Sequence, residues 1–595
     1  MGSNMSENGS QSAANTHTTT NQTSHSVDSQ EQEVPEFNEF KYRLNDDADA
    51  DEVEDIFCYT PGGYHPVALG DALGDGGRFR VYHKLGFGGY ATVWLCHDNI
   101  SKKWRAVKIM TADSSTPDCA ELKALRLFNG IDPDVLAANR LQLALEHFWI
   151  DGPNGRHLCF VLPFLGPKLS TTYSTYGHVP ELMKDICFQL VEALKFLHSH
   201  RLCHGDFRTD NLLFRLADGV DEWDEEAVMK LLGKPDLARV EHMDGAETKF
   251  EPGVPAYLVE RAHIAYGSGV CSSQIAVIDF GVSYRASQPP IYKGTGIPLP
   301  FASPEDIFRR DGDLGFHTDI WALGVAIAKV RCGFTPFADE QHDTLLEGLG
   351  KMECVMGPMP EPYRSIWNKW GGVFVNCQDE NHGTREDGCW KDESVLATVY
   401  TDKEECARRS RIKEGRSPNY LHYRLQTGDM MQIDEEEAAD IAAQAAANSH
   451  RLPAYTWGED SRQLKYEEQI QYTMTDVEIK QMFDLFLKMF QWHPEQRATL
   501  DQVANHEWFG GRSRPQLATP STPKPNNNKR AQAVGSGNGK ESVWRGWRLY
   551  WEQIGQGLQK GAGRTLKFMA TIGKTVSEAI VAATRRYRKI GRWGN

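Results

Sequence analysis

Two short acidic runs, each set against an apolar strand-like segment, constrain this chain more than anything else in it. The first is His204-Gly205-Asp206-Phe207-Arg208-Thr209-Asp210-Asn211, followed by Leu212-Leu213-Phe214. The second is Asp279-Phe280-Gly281, preceded by Ile275-Ala276-Val277-Ile278. Short apolar segments bounded by turn residues read as buried strands, so each run presents polar side chains at the edge of a core. Between them they supply a carboxylate, Asp206, able to accept a hydroxyl proton, and oxygen donors on Asn211 and Asp279 suited to a hard cation such as magnesium. Transfer of a phosphoryl group from ATP needs that combination. Taken singly, each residue could be an ordinary turn residue; the order and the flanking strands give the pattern its meaning.

A glycine-rich turn lies upstream. Gly86-Phe87-Gly88-Gly89-Tyr90-Ala91-Thr92-Val93 sits between the strand-like segments Phe79-Arg80-Val81-Tyr82 and Thr92-Val93-Trp94-Leu95. Small residues let the backbone approach phosphates, and Val93 would cover the base. Hairpin turns also collect glycine, but here Ala106-Val107-Lys108 follows on the next strand. Lys108 would hold the α- and β-phosphates of ATP. It needs a carboxylate to orient it, and Glu121 lies on the next expected helix. Arg208, two residues past the candidate base, could stabilise charge on the transferring group through a planar guanidinium.

The chain has 595 residues and a formal net charge of -16. That balance argues against a general nucleic-acid binder and suits a basic substrate. Twelve scattered cysteines with no Cys-x-x-Cys pair fit free thiols in a reducing compartment. No apolar stretch has spanning length and no signal-like start is present, so an intracellular protein of the cytoplasm or nucleus is expected.

Residues 1–45 read as a disordered tail, with almost no large apolar groups up to about Gln32. The acidic run from Asp46 to Asp55 reads as solvated, or as a guide for basic substrates. A small lobe with its entry segment is expected over 46–165, strand-like from Phe79, and a larger lobe over 166–510 with helical spacing, as in Leu182, Ile186, Leu190, Leu194 and Leu197. Helices are expected over Thr318–Arg331 and Val477–Phe490. Strands first and helices after imply an α+β, bilobal fold with a small β-rich lobe and a larger helical lobe. Stretches near 217–272 and 341–472 read as insertions, expected as surface excursions from the helical lobe. Residues 511–540 read as a disordered linker. Residues 541–595, with Trp544, Trp547, Trp551, Ile554 and Leu558 at heptad-like spacing, form a basic amphipathic tail.

The two acidic runs together resemble the protein-kinase signature set. Ser303-Pro304-Glu305, Asp319-Ile320-Trp321-Ala322-Leu323-Gly324 and Arg497-Ala498-Thr499 resemble the segments that build that family's helical lobe, where Glu305 and Arg497 would form a buried ion pair. Within the superfamily the chain is most similar to the SR-protein kinases of fungal type. Asp55-Ile56-Phe57-Cys58-Tyr59-Thr60-Pro61-Gly62-Gly63-Tyr64-His65-Pro66-Val67 resembles that group's lead-in segment. Lys84-Leu85-Gly86, the hinge Leu162-Pro163-Phe164-Leu165-Gly166, and Gly357-Pro358-Met359-Pro360-Glu361-Pro362 resemble it too. The resemblance implies a Ser/Thr protein kinase using ATP and Mg2+. It also implies activity without activation-loop phosphorylation and action on Arg/Ser-rich splicing factors. Leu85, Ala106, Leu162 and Phe164 would then line the nucleotide pocket with Val93 and the glycine turn. The chain departs from the pattern at Gly205 (usually arginine), Arg208 (commonly lysine) and Phe280 (leucine in SR-protein kinases). It also lacks an arginine-bearing run in Ile297–Ser303. Without arginine at 205, a phosphate at Ser283, Thr295 or Ser303 would lack its usual partner.

Two other readings stay open on sequence grounds. His-Gly-Asp with a downstream Asn also resembles aminoglycoside and choline phosphotransferases, and a pseudokinase scaffold is a further alternative, although Lys108, Asp206, Asn211 and Asp279 are all present. Met1-Gly2-Ser3-Asn4-Met5-Ser6 fits a myristoylation pattern, which with the basic tail would give membrane contact. The preferred expectation is a tail that docks on the protein itself or on a partner. A monomer that makes no direct nucleic-acid contact is expected.

Overall fold

The computed structural model describes residues 41–369, 420–453 and 470–512, apart from short internal stretches. The low-complexity segment up to Gln32, the linker and basic tail beyond residue 512, and Thr295 lie outside the described residues.

The small lobe is a six-stranded antiparallel sheet. Its strand order is Ala72–Leu73, Phe79–Gly88, Ala91–Asp98, Lys103–Met110, Gly155–Pro163, Glu146–Gly152. One face buries Phe79, Val81, Trp94, Val107, Ile109 and Val161 together. The helix Ala120–Leu127 packs Leu122 against the other face, with Ala106, Phe160 and Leu162. Alternating strand residues thus serve separate cores, as the two-residue repeat of a strand requires.

The large lobe is built on two long helices. Pro180–Ser199 begins with proline in its first turn, where the missing amide costs nothing. It buries Ile186, Leu190, Leu194 and Leu197 as the spacing anticipates. Phe316–Cys332 brackets the expected Thr318–Arg331 and is buried nearly all round. A hydrophobic helix of that kind belongs at the centre of a lobe. Asp476–Met489 lies one residue from the expected span, capped by the Thr475 side chain accepting from the Glu478 amide. Arg331 ties the helices together, donating to both Glu478 carboxylate oxygens at 2.9 Å while wholly buried.

The two acidic runs meet through a strand pair. Leu212–Leu216 pairs antiparallel with Cys271–Val277, with Leu212 opposite Val277 and Phe214 opposite Ile275. That register sets Asn211 and Asp279 at the same end of the pair, where the Ile278 amide donates to the Asn211 carbonyl at 3.0 Å.

Four expectations are corrected. Tyr42–Leu44, inside the expected 1–45 tail, is a strand paired with Leu237–His242, which pairs in turn with Tyr257–Val259. Its partner lies about two hundred positions downstream (Arg43 and Glu241 are 198 apart), a distance that local composition does not reveal. The acidic run ending at Asp55 is not simply solvated. Glu54 is 1% exposed, ion-paired to a fully buried Lys84, and accepts from the Tyr59 hydroxyl at 2.5 Å. The 217–272 insertion is not an excursion from the helical lobe. Its helix Glu225–Leu232 packs Val228 and Leu232 onto Leu95 and Trp104 of the small-lobe sheet. The Trp104 indole also donates to the Trp223 carbonyl at 2.8 Å. An apolar stripe needs cover, and here Leu95 and Trp104 of the sheet supply it. Finally, the 341–472 stretch is not confined to the surface. Leu349, Met352, Leu421, Leu425 and Ile441 are buried in the large-lobe core, because their own helices carry apolar faces that join it.

Two outcomes follow for stability. Glu54→Ala leaves a buried lysine unpaired and is expected to cost about 3–5 kcal/mol in urea unfolding, most of it recovered in the double variant Glu54→Leu with Lys84→Met. Burial, then the neighbouring His157 ring, pushes His65 down from 6.5 to about 4. The unfolded chain therefore binds the proton more readily. Stability should fall as pH drops from 6.5 towards 4, and His65→Phe should flatten that slope.

Candidate active site

Lys108 stands where the two lobes meet. From the strand Lys103–Met110 its Nζ donates to Glu121 Oε2 at 2.9 Å and to Asp279 Oδ1 at 2.8 Å. Burial works against the ammonium, but the carboxylates of Asp279 and Glu121 outweigh it and hold Lys108 above its ordinary value, hence charged. Burial would likewise raise Asp279, yet Lys108 and the Gly281 amide, donating at 3.1 Å, keep its carboxyl below the usual range. Asp279 adopts φ 61°, a left-handed conformation that non-glycine residues take up at a cost and that marks functional turns.

Asp206 is held from both sides. Its own amide donates to His204 Nδ1 at 3.2 Å, while His204 Nε2 faces the Ile278 carbonyl at 3.1 Å. These contacts fix the histidine with its proton on Nε2. Asn211 Nδ2 donates to the Asp206 carbonyl at 2.9 Å and to Oδ2 at 2.7 Å. With its NH2 so engaged, the Asn211 carbonyl oxygen is the atom left to ligate a cation. Arg208 Nε donates to Asp206 Oδ2 at 3.2 Å and its NH1 to Asp210 Oδ2 at 2.8 Å. Asp206 Oδ1 lies 3.2 Å from the same guanidinium but accepts no hydrogen bond among the described residues. It is a buried carboxylate oxygen whose acceptor capacity is unused.

The loop itself is fixed by Asp319, in the first turn of the buried helix Phe316–Cys332. Its Oδ2 accepts from the His204 amide at 2.8 Å and faces His198 Nε2 at 2.8 Å; its Oδ1 accepts from the Gly205 amide at 3.0 Å. Burial alone would raise this carboxyl, but His198, the nearby His204 ring and the Gly205 amide hold it below its ordinary value. Gly205 has φ 80°, where glycine is unstrained and a side chain is not.

The glycine turn is open. A Cβ added at Gly86, Gly88 or Gly89 would meet nothing within 4 Å. Leu85 and Val93 pack with Ala91, Ala106 and Leu162 in one apolar cluster, and Leu85 also packs in the neighbouring cluster that holds Phe164. The structure thus brings Val93 and the other residues expected to line the nucleotide pocket into adjoining clusters. Phe87 pairs across it with Thr92, Gly88 with Ala91, and Tyr90 projects outward, 68% exposed. A separate cavity of about 520 Å³, lined by Leu122, Arg126, Trp149 and Arg156 among others, includes none of the candidate catalytic side chains.

The open turn, the charged lysine and the paired oxygen donors fit a nucleotide triphosphate with its cation. Among the described residues no cluster of three or more His, Cys, Asp or Glu could hold a metal ion. One Asp and one Asn suit a Mg2+ that takes its remaining ligands from phosphates and water. Sequence reasoning passed over Tyr59, Tyr64, His198 and the Lys168 contact to Asp210 at 3.1 Å. The first two lay in the quoted lead-in segment, which was the available signal. Ser303 and Glu305 are wholly buried: the Ser303 hydroxyl donates to Asp306 at 2.8 Å, and Arg497 NH1 and NH2 donate to Glu305 at 2.5 and 2.7 Å.

The family model for the protein kinase domain matches residues 79–231 and 269–509, and the chain belongs to that family. Parts of it are similar to individual kinases. It is 34% identical over 192 residues to SRSF protein kinase 3 of Homo sapiens, covering 30% of this chain and 34% of that one. It is 34% identical over 174 residues to serine/threonine-protein kinase SKY1 of Saccharomyces cerevisiae, covering 28% and 23%. It is 34% identical over 176 residues to serine/threonine-protein kinase spk-1 of Caenorhabditis briggsae, covering 29% and 15%. The chain therefore spans only 15 to 34% of the length of these relatives. A crystal structure of a kinase domain is also similar, at 19% identity and a TM-score of 0.41, covering 75% of this chain and 98% of that one.

Removing the Asp319 charge should loosen the His204–Asn211 loop directly. Asp319→Asn is expected to lower stability by about 2 kcal/mol, as hydrogen bonds to a charged acceptor weaken. Gly205→Ala should cost about 1 kcal/mol through left-handed strain. Thermal or urea unfolding of each variant checks both.

Proposed function

We propose that the protein is a Ser/Thr protein kinase of the cytoplasm or nucleus that transfers the ATP γ-phosphate to hydroxyls on basic, Arg/Ser-type protein substrates. The observation that carries this reading is the charged Lys108, held at once by Glu121 and Asp279, with the Asp206–Asn211 loop set at the same end of the strand pair as Asp279. Lys108 would bind the α- and β-phosphates. Asn211 and Asp279 would hold Mg2+, which neutralises charge on the phosphates. Asp206, through Oδ1, would orient the acceptor hydroxyl and receive its proton. Arg208, already placed against Asp206 and Asp210, would meet charge on the moving phosphoryl group. The glycine turn and the Leu85, Val93, Ala106, Leu162 surface would enclose the nucleotide.

The protein-substrate part rests on two supports: relatives whose names are SRSF protein kinase 3 and serine/threonine-protein kinase, and the net charge of -16, which favours basic peptides. Regulation follows from Gly205, since no arginine stands there to receive an activation-segment phosphate. Ser303 is buried and bonded to Asp306, and the buried Ser283 hydroxyl donates to the Phe280 carbonyl at 2.8 Å, so neither hydroxyl is presented for modification.

Purified protein should phosphorylate Arg/Ser repeat peptides and leave amino sugars untouched, with Thr295→Ala retaining full turnover. Asp206→Asn should lower turnover about 10²–10⁴-fold while Mg-ATP binding persists. A positional peptide library with no preference for arginine beside the phosphoacceptor would remove the Arg/Ser assignment. Absence of any Mg-ATP binding would remove the enzyme.

A further inference from the structure

The lead-in segment before the small-lobe sheet makes one contact that the nucleotide reading does not use. The Tyr64 hydroxyl donates to the Gly88 carbonyl, in the glycine turn, at 2.9 Å. Gly88 and Gly89 both lack any neighbour within 4 Å of a would-be Cβ. A peptide plane between two such glycines has no side chain to bias its orientation, and glycine populates both halves of φ space. Across a trans peptide the carbonyl and the following amide point in opposite directions. Whatever anchors the Gly88 carbonyl therefore also sets where the Gly89 amide points.

Tyr64 is built to be such an anchor. It is 4% exposed, and its ring meets Tyr59 edge-on at 5.5 Å between centroids. Tyr59 in turn donates to Glu54, the partner of buried Lys84. The Tyr64 amide donates to the Cys58 carbonyl at 2.9 Å, a tight turn in which a Cβ on Gly63 would fall 1.9 Å from the same oxygen. Burial raises the Tyr64 hydroxyl to about 12, so it stays a donor at any working pH.

The same residue is tied to the insertion. Asn154, 4% exposed, donates through Nδ2 to the Tyr64 carbonyl at 2.7 Å and to the Gly253 carbonyl at 2.9 Å. Gly253 and Tyr64 both fall outside the stretches that the protein kinase family model matches. Support for a turn inside the matched stretches thus comes from residues outside them.

We infer that Tyr64 is a positioning residue for nucleotide binding: its hydroxyl, backed by Asn154 and the inserted segment, fixes the Gly88–Gly89 peptide so that the turn's amides are already oriented for the phosphates. The role rests on the ATP reading above. It lowers the ordering cost of closing the turn over nucleotide, so it acts on affinity more than on the chemical step.

Tyr64→Phe in the full chain tests it, because the ring and its packing remain and only the hydroxyl goes. Amide hydrogen exchange in residues 86–91 without nucleotide should rise about 5- to 10-fold, as expected for loss of one hydrogen bond. Exchange in the neighbouring strands and the thermal midpoint should hold. The Mg-ATP dissociation constant and the KM for ATP should rise by a similar factor, with kcat little changed. Asn154→Ala should give a smaller shift of the same pattern. Unchanged exchange in the turn would overturn the inference, as would a uniform rise across the sheet with a lowered midpoint. Wild-type protein that binds no Mg-ATP would instead overturn the nucleotide reading, and the exchange measurement would still decide whether Tyr64 braces the turn.

Discussion

Burying one ammonium group between two carboxylates organises this molecule. Lys108 comes from the small-lobe sheet, Glu121 from the helix packed on it, and Asp279 from the end of a strand pair in the large lobe. Removing charge from water costs several kcal/mol per ion unless partners are close and well aimed. The arrangement is therefore stable only with both lobes in register. Once Asp279 is placed, the pairing of Leu212 with Val277 places Asn211, and Asn211 holds Asp206. Asp319 then fixes the remaining freedom of the loop from below through the His204 and Gly205 amides. Each step is a short-range contact, yet together they align groups drawn from four distant parts of the sequence.

Much of this was legible beforehand. The His204–Asn211 loop and the Asp279 run could be read because each gathers its polar side chains within a few residues and abuts a strand whose apolar character is local. The long helices were equally clear, since a buried stripe repeated over Pro180–Ser199 leaves little choice of structure. Even Glu121, which depends on helix register, falls where Lys108 reaches it. Glu305 and Arg497 do form the buried pair that the family resemblance implied.

What escaped the sequence were interactions between groups that look unremarkable alone. Glu54 sits in a run of acids whose average behaviour is solvation; only its partner Lys84, equally ordinary on a strand, makes it a core residue. The Arg331–Glu478 pair is of the same kind, with 147 positions between its members. The 217–272 insertion was misplaced for a related reason: its helix shows an apolar stripe, but a stripe does not say which lobe it will cover. Tyr64 was visible in the lead-in segment as a resemblance, without any hint that its hydroxyl reaches the glycine turn.

The pairing of Tyr42–Leu44 with Leu237–His242 carries a consequence for how the chain comes to be folded. The arm is made early, but its partner strand is made only after the whole small-lobe sheet, the helix Pro180–Ser199 and the His204–Asn211 loop. Closing a contact over so long a separation is slow compared with the hairpins of the sheet. During synthesis the first strand has no partner until then, whereas Glu54 and Lys84 are separated by a far shorter stretch of chain. The earliest described strand to leave the ribosome is thus one whose pairing depends on chain made much later.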